Sequence, residues 1–194
     1  SRPRRSTDWP CLRRAASGTV HANGAPVRSV RDATRSDIAF LPRERKSEGI
    51  FAPLSVLDNI TVSALKKFVR AGILRSSERK QATDQVARRT KVKMAGLDTP
   101  ISALSGGNQQ KALLGRLIAT GPKVLVLNDP MRGVDLGAKR DLYDVLSQLA
   151  AEGVSIVMLS TELVELCLLC HRVVVFHDHA VSAVINRSDL SERT

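Results

Sequence analysis

Apolar residues in this chain keep two different rhythms. Across residues 136–151, Leu142, Val145, Leu146 and Leu149 recur three and four apart, which predicts a helix with one buried face. Gly153 is placed to end that helix in the left-handed region. Residues 154–159 then run apolar without alternation, as a parallel strand buried on both faces does. Residues 124–127 have the same character and end in Asn128-Asp129-Pro130. Strand, helix and strand at this spacing predict a βαβ unit, hence an α/β fold with a mostly parallel sheet flanked by helices. An amphipathic helix over residues 109–119 is separated from the strand at Val124 by Gly121-Pro122. A short apolar strand, residues 38–41, stops at Pro42 and runs into the charged loop Arg43-Glu44-Arg45-Lys46.

The rest of the pattern is shorter and more polar. Residues 17–30 alternate small apolar and polar side chains around Asn23-Gly24, which predicts a hairpin. Residues 32–35 make a helical turn at most. Ser55 is placed to cap a helix carrying Leu57, Ile60, Val62 and Leu65, with a basic end at Lys66-Lys67. Ser76-Ser77-Glu78 opens a second helix running to about Met94, with Ala82 and Val86 on one face and a crowd of Arg and Lys on the remainder. Ser160-Thr161-Glu162 opens a further helix to about Cys170, and residues 172–176 and 180–185 form two strands around Asp178-His179. Ser1 to Pro10 carries three arginines and no periodicity, and reads as an irregular leader.

Composition narrows the function classes. At 194 residues, 43% hydrophobic and 25% charged, the chain is long enough for one domain with its own core. Aromatics are only 3%, so that core is built from Leu, Val, Ile and Ala. The formal charge of +11 admits nucleic acid, an anionic membrane surface or nucleotide phosphates as partners. Base stacking needs aromatic platforms, which are scarce here, so the excess charge reads as solvated surface. No run of about 18 apolar residues crosses a membrane and no secretory signal is present, which places the chain in the cytosol. Cys11, Cys167 and Cys170 do not make a disulfide framework. Cys167-Leu168-Leu169-Cys170-His171 fits a c-type haem attachment pattern, but these cysteines sit among leucines in a predicted helix, where Cys packs as a small hydrophobe. A zinc set drawn from Cys167, Cys170, His171, His177 and His179 is split by a strand and lacks confirming spacing.

Candidate chemistry gathers in the loop Leu104-Ser105-Gly106-Gly107-Asn108 and at the end of the following strand. Two glycines let the backbone come close to a ligand. The first N–H groups of a helix are unpaired and its dipole is positive there, so an anion is favoured. Ser105 adds a hydroxyl donor and Lys111 a positive charge, and together they read as a phosphate contact. Asp129 ends an apolar strand, where open α/β sheets bind their ligands.

These residues carry a family resemblance. Leu104 to Lys111, LSGGNQQK, resembles the signature loop of ATP-binding cassette (ABC) ATPases, and its extended form is similar to that of the second cassette of bacterial sugar-import ATPases. Val124 to Pro130 resembles the Walker B strand, and Arg132-Gly133-Val134-Asp135 the D-loop. The likeness runs from about Cys11 to the C-terminus. It implies a P-loop NTPase-like cassette over residues 11–194, with a mostly parallel sheet, a small antiparallel edge sheet and a helical signature subdomain over about residues 53–110. It implies ATP and Mg²⁺ as cofactors, a second cassette and membrane permease subunits as partners, no nucleic acid, and a peripheral place at the cytoplasmic face of the plasma membrane. Carried over residue by residue, Ser105, Gly106, Gly107 and Asn108 would meet the γ-phosphate of a nucleotide on the partner cassette, and Asp135 would join the dimer seam. Asn128 stands where an Asp holds the magnesium shell, and Asp129 where a Glu orients the attacking water. Thr161 stands at the switch-histidine position, where sugar-importer cassettes carry a small hydroxyl residue.

The sequence also departs from the family. No G-x-x-x-x-G-K-[ST] phosphate loop occurs in it. Arg43 falls at the Q-loop position, where it cannot ligate Mg²⁺, leaving Glu44 as a substitute ligand. Three readings stay open on the sequence. One is a truncated or diverged ATPase subunit of a sugar importer. Another is a catalytically silent cassette lending its signature loop, and the third is a basic nucleic-acid-binding protein.

Overall fold

The computed structural model describes residues 17–22 and 24–190. The predicted leader, Cys11 and Asn23 lie outside these residues. Strand β1 (His21–Ala22) pairs antiparallel with β2 (Ala25–Pro26), the turn passing through Gly24 at φ +77°. Ser29 then accepts the Asp32 N–H and caps α1 (Val30–Arg35), a longer turn than the sequence suggests. Strand β3 (Ile38–Leu41) leads through a wide helical turn at Arg45–Gly49 to α2 (Val56–Thr61), capped by Ser55. A tighter 3-10 segment (Val62–Phe68), the hairpin β4 (Val69–Arg70) and β5 (Ile73–Leu74), and α3 (Ser76–Arg89) follow. Next come α4 (Gly106–Ala119), β6 (Val124–Asn128), α5 (Leu136–Ala151) and β7 (Ser155–Leu159). The chain closes with α6 (Leu163–Leu169), β8 (Arg172–His177) and β9 (Ala180–Asn186).

The central sheet is parallel in the order β3-β6-β7, with Leu41 opposite Leu127 and Asn128 opposite Leu159. The C-terminal ends of all three strands therefore reach the same rim. Leu41, Leu125 and Leu127 of the sheet bury against Leu113, Leu114 and Leu117 of α4 and Leu142, Val145, Leu146 and Leu149 of α5. A second core, Val56, Ile60, Ala87, Ile101 and Ala112, lies between α2, α3 and the other side of α4. Helix α4 thus belongs to both cores. Gly115 allows the approach of α3, since a Cβ there would stand 3.0 Å from Val86 Cγ1.

Three expectations are corrected. Helix α2 stops at Thr61 and the chain tightens into the 3-10 segment, whose side chains stack three apart, so Val62 and Leu65 turn outward instead of extending the buried face. Helix α3 ends at Arg89, short of Met94, because the Thr90 hydroxyl donates back to Val86 O and Lys91 takes φ +53°. Strand β7 is parallel as expected but is not buried on both faces. Ile156 and Met158 pack toward the core, whereas Val157 is 60% and Leu159 64% exposed. A continuous apolar run does not say whether both of its faces are covered.

Candidate functional site

The site begins at the mouth of α4. Ser105 takes extended backbone angles and caps the helix, its Oγ accepting from Asn108 N at 3.4 Å and Asn108 Nδ2 at 3.0 Å. Asn108 Oδ1 in turn accepts from Lys93 N at 2.8 Å, which fixes the amide. Ser105 is exposed, Gly106 half-buried and Gly107 buried. Packing demands the second glycine and crowds the first. A Cβ on Gly107 would lie 2.5 Å from Ala138 Cβ and 2.9 Å from Asp135 Oδ2, and one on Gly106 would lie 2.6 Å from an Arg45 terminal nitrogen. The first turn of α4 is therefore pressed against the start of α5, where Asp135 is the cap and accepts the Ala138 N–H at 2.9 Å.

The polar residues after the glycines hold the chain together. Gln109 donates to Leu104 O at 3.0 Å and Gln110 to Pro130 O at 2.7 Å, tying α4 to the loop that follows β6. Lys111 does not face the helix mouth, and its expected phosphate contact is corrected. Its side chain is 2% exposed and its Nζ donates to Lys91 O at 2.6 Å and to Asp141 Oδ2 at 3.1 Å. Being a turn further along, it points into the interior and anchors the segment after α3. Burial works upward on the Asp141 pKa, but pairing with Lys111 and Lys91 outweighs it and holds the carboxylate below its ordinary value.

At the rim, Asn128 ends β6, and Asp129 turns the chain at φ +52° with its N–H on Leu159 O at 2.8 Å. The carboxylate of Asp129 meets Arg43 Nε at 3.2 Å. Arg132 meets Glu44 at 2.6 Å. Arg45 donates to Arg132 O at 2.9 Å and Gly133 O at 3.3 Å. The charged loop after β3 thus clasps the loop after β6 on three successive side chains. Thr161 lies two residues beyond β7 on this rim and is exposed, next to Ser160, whose hydroxyl donates to Glu165 at 2.6 Å. Arg45 carries no role in the sequence reading and Arg132 enters it only as the first residue of the D-loop match; nothing in the sequence pairs the two loops.

A magnesium ion asks for several oxygen ligands in near-octahedral array. Of the candidates, Asn128 is uncharged, Asp129 is engaged by Arg43 and Glu44 by Arg132. Among the described residues no group of three or more His, Cys, Asp or Glu converges to hold a metal. The residues present do not fit Mg²⁺.

A parallel sheet with a glycine-led helix mouth beside its C-terminal rim defines an α/β domain of the ATP-binding-cassette class. The family model described as ABC transporter matches residues 11–132, and the chain belongs to that family. It is 37% identical over 179 residues to the ribose import ATP-binding protein RbsA of Geobacillus kaustophilus, covering 91% of this chain and 36% of that protein. It is 38% identical over 184 residues to the ribose import ATP-binding protein RbsA 2 of Rhizobium etli, covering 93% and 36%. The chain thus spans about a third of the length of these relatives. Among solved structures it superposes on a post-hydrolysis dimer of the ATP-binding cassette MJ0796 bound to ADP and Pi, with TM-score 0.78 and 17% identity over 91% of this chain and 76% of that one. It also superposes on cbiO1 from Clostridium perfringens, part of the ABC transporter complex cbiONQ, with TM-score 0.72 and 20% identity over 89% and 67%. These two likenesses establish the fold.

Proposed function

We propose that this chain is the ATP-binding part of a carbohydrate importer and that it works by presenting its α4 mouth to a nucleotide held on a second cassette. The observation that carries this is Ser105. Its oxygen is used as an acceptor by Asn108, so the hydroxyl proton is left to donate outward from an exposed position. Beside it, the unpaired N–H groups of a fourteen-residue helix add their dipole. Ser105 and the Gly106 and Gly107 backbone would hold a γ-phosphate, with Asn108 fixing the serine. Asp135, capping α5 under Gly107, would line the seam between cassettes, and Thr161 would face the phosphate from the end of β7. The second core around α2, α3 and α4 would be the helical subdomain, about residues 53–110, that meets the permease.

The hydrolytic step is assigned to the nucleotide's own cassette. Asp129 is one methylene shorter than glutamate and is engaged by Arg43, and no magnesium step is routed through Asn128 or Glu44. The contribution of this chain is closure of the partner's site, with ATP and its Mg²⁺ brought by that partner. Among the described residues no helix is long and apolar enough to cross a membrane, and a peripheral position on permease subunits at the cytoplasmic face is the placement proposed. The sugar would be chosen elsewhere in the importer, and the relatives' ribose is the first to try.

The test is to titrate this chain into a sugar-importer cassette with an intact phosphate loop and to follow phosphate release. Wild type is expected to raise turnover, and S105A to lose about 10²-fold of that effect, as loss of one donor to a developing charge does. Equal stimulation by S105A, or none by wild type, would refute the reading.

A further inference from the structure

The rim where β3 and β6 end is cationic where a metal-holding rim would be anionic. Residues 43–45 and 129–133 bring three basic side chains, Arg43, Arg45 and Arg132, together with two carboxylates, Glu44 and Asp129. Each carboxylate is already met by a guanidinium, at 3.2 Å for Asp129 and 2.6 Å for Glu44. Arg43 is ion-paired through Nε, and Asp129 is its partner among the described residues. Its side chain is 49% exposed, whereas that of Asp129 is only 11% exposed. The carboxylate therefore sits deeper than the guanidinium it pairs with, which stays half-exposed at the rim. A guanidinium held in this way is a ready receptor for a phosphate, which it binds through parallel N–H donors. The rim is also where open parallel sheets take their ligands.

We propose that Arg43 occupies the place of a divalent cation at this rim, so that the chain's own site binds the phosphates of a nucleotide free of metal, with Asp129 as the carboxylate that orients Arg43. This rests on the nucleotide-handling reading above but concerns a different site from the α4 mouth. A divalent ion is disfavoured because both carboxylates already face a guanidinium. Asp129 is a positioning residue here, acting through Arg43.

The experiment uses the full chain with ADP as probe, titrated calorimetrically in EDTA and again in Mg²⁺, alongside a Mn²⁺ titration followed by electron paramagnetic resonance. Wild type is expected to bind ADP at least as tightly in EDTA as in Mg²⁺ and to show no stoichiometric Mn²⁺ binding. R43Q is expected to weaken ADP binding in EDTA about tenfold or more, and R43K to fall between, since it keeps the charge and loses the fork. Thermal melts of both variants matching wild type show that the fold is kept; R43K serves if R43Q does not fold. One-to-one Mn²⁺ binding that D129N abolishes would overturn the proposal. So would ADP affinity that requires Mg²⁺ or is unmoved by R43Q. If wild type binds no ADP in either medium, the proposal falls while Ser105-dependent stimulation of a partner is untouched, so the two readings fail separately.

Discussion

Gly107→Ala tests whether the signature glycines are set by packing as well as by ligand. An alanine Cβ at this position would stand 2.5 Å from Ala138 Cβ and 2.9 Å from Asp135 Oδ2. Carbon atoms prefer about 3.5–4.0 Å, so at least 1 Å of overlap must be relieved. Neither neighbour yields easily. Ala138 has no rotamer to change, and Asp135 is held as the cap of α5 by the Ala138 N–H at 2.9 Å. Overpacking of this kind costs roughly 1–3 kcal/mol, and loss of the cap about 1 kcal/mol more. The expected destabilisation is about 2–4 kcal/mol, read as a shift in the urea midpoint at unchanged slope. Gly106→Ala meets the tip of Arg45, a flexible side chain that can swing away, and is expected to cost less than about 1 kcal/mol in stability. Gly96→Ala meets nothing within 4 Å and serves as the control. If G107A unfolds at the same urea concentration as G96A, α4 and α5 are not pressed together as described, and the geometry of the mouth is wrong.

Two further outcomes complete those given with Ser105 and Arg43. Lys111→Met removes a buried cation from Asp141 but leaves Lys91 to pair with it at 3.3 Å, so a loss of about 1–3 kcal/mol in urea unfolding is expected; stimulation of a partner cassette by the folded variant should persist, because the ammonium faces away from the mouth. Asp58 has its pKa lowered by the Ser55 hydroxyl and by Arg79, so it contributes stability above its ordinary value of 3.8 that is lost as pH falls through the depressed folded value; D58N should flatten the acid limb of a stability-against-pH curve below about pH 4 and leave its neutral slope unchanged.

What was legible in the sequence follows from how local its cause is. The bounds of α5 and β3 emerge intact because each is set by residues within a few positions, Asp135 and Gly153 for the helix and Pro42 for the strand. The cap that Ser105 places on α4 has an equally local cause, although the sequence reading uses the residue only as a hydroxyl donor. Lys111 was misread because helix position alone does not say which side of α4 faces Asp141, thirty residues on. The Arg43–Asp129 and Arg132–Glu44 pairs join loops more than eighty residues apart. They exist because the parallel β3-β6 register brings Leu41 beside Leu127, a fact of topology that no short motif carries. The early end of α3 hides for another reason: Lys91 takes a positive φ that its residue type does not advertise.

Helix α4 explains why these loops belong to one device. Fourteen residues at about 1.5 Å each give a rod of about 21 Å. One end is Ser105. Near the other, Lys67 donates to Ala119 O at 3.1 Å and Thr120 O at 2.9 Å, satisfying carbonyls the helix leaves open. Between them Arg116 is buried, with its guanidinium on Gly49 O at 2.5 Å, Asn59 O at 2.6 Å and Asn59 Oδ1 at 2.8 Å, under the Phe51 ring at 5.0 Å. Burial pushes its pKa down to about 10, which leaves it charged at neutral pH. Gly49 closes the same turn that carries Arg45, and Arg45 reaches back to the loop before α5. The charged loop after β3 is thus bonded to the middle of α4 at one end and to the rim at the other. A displacement of that loop that kept the buried Arg116–Gly49 contact would have to carry α4 with it.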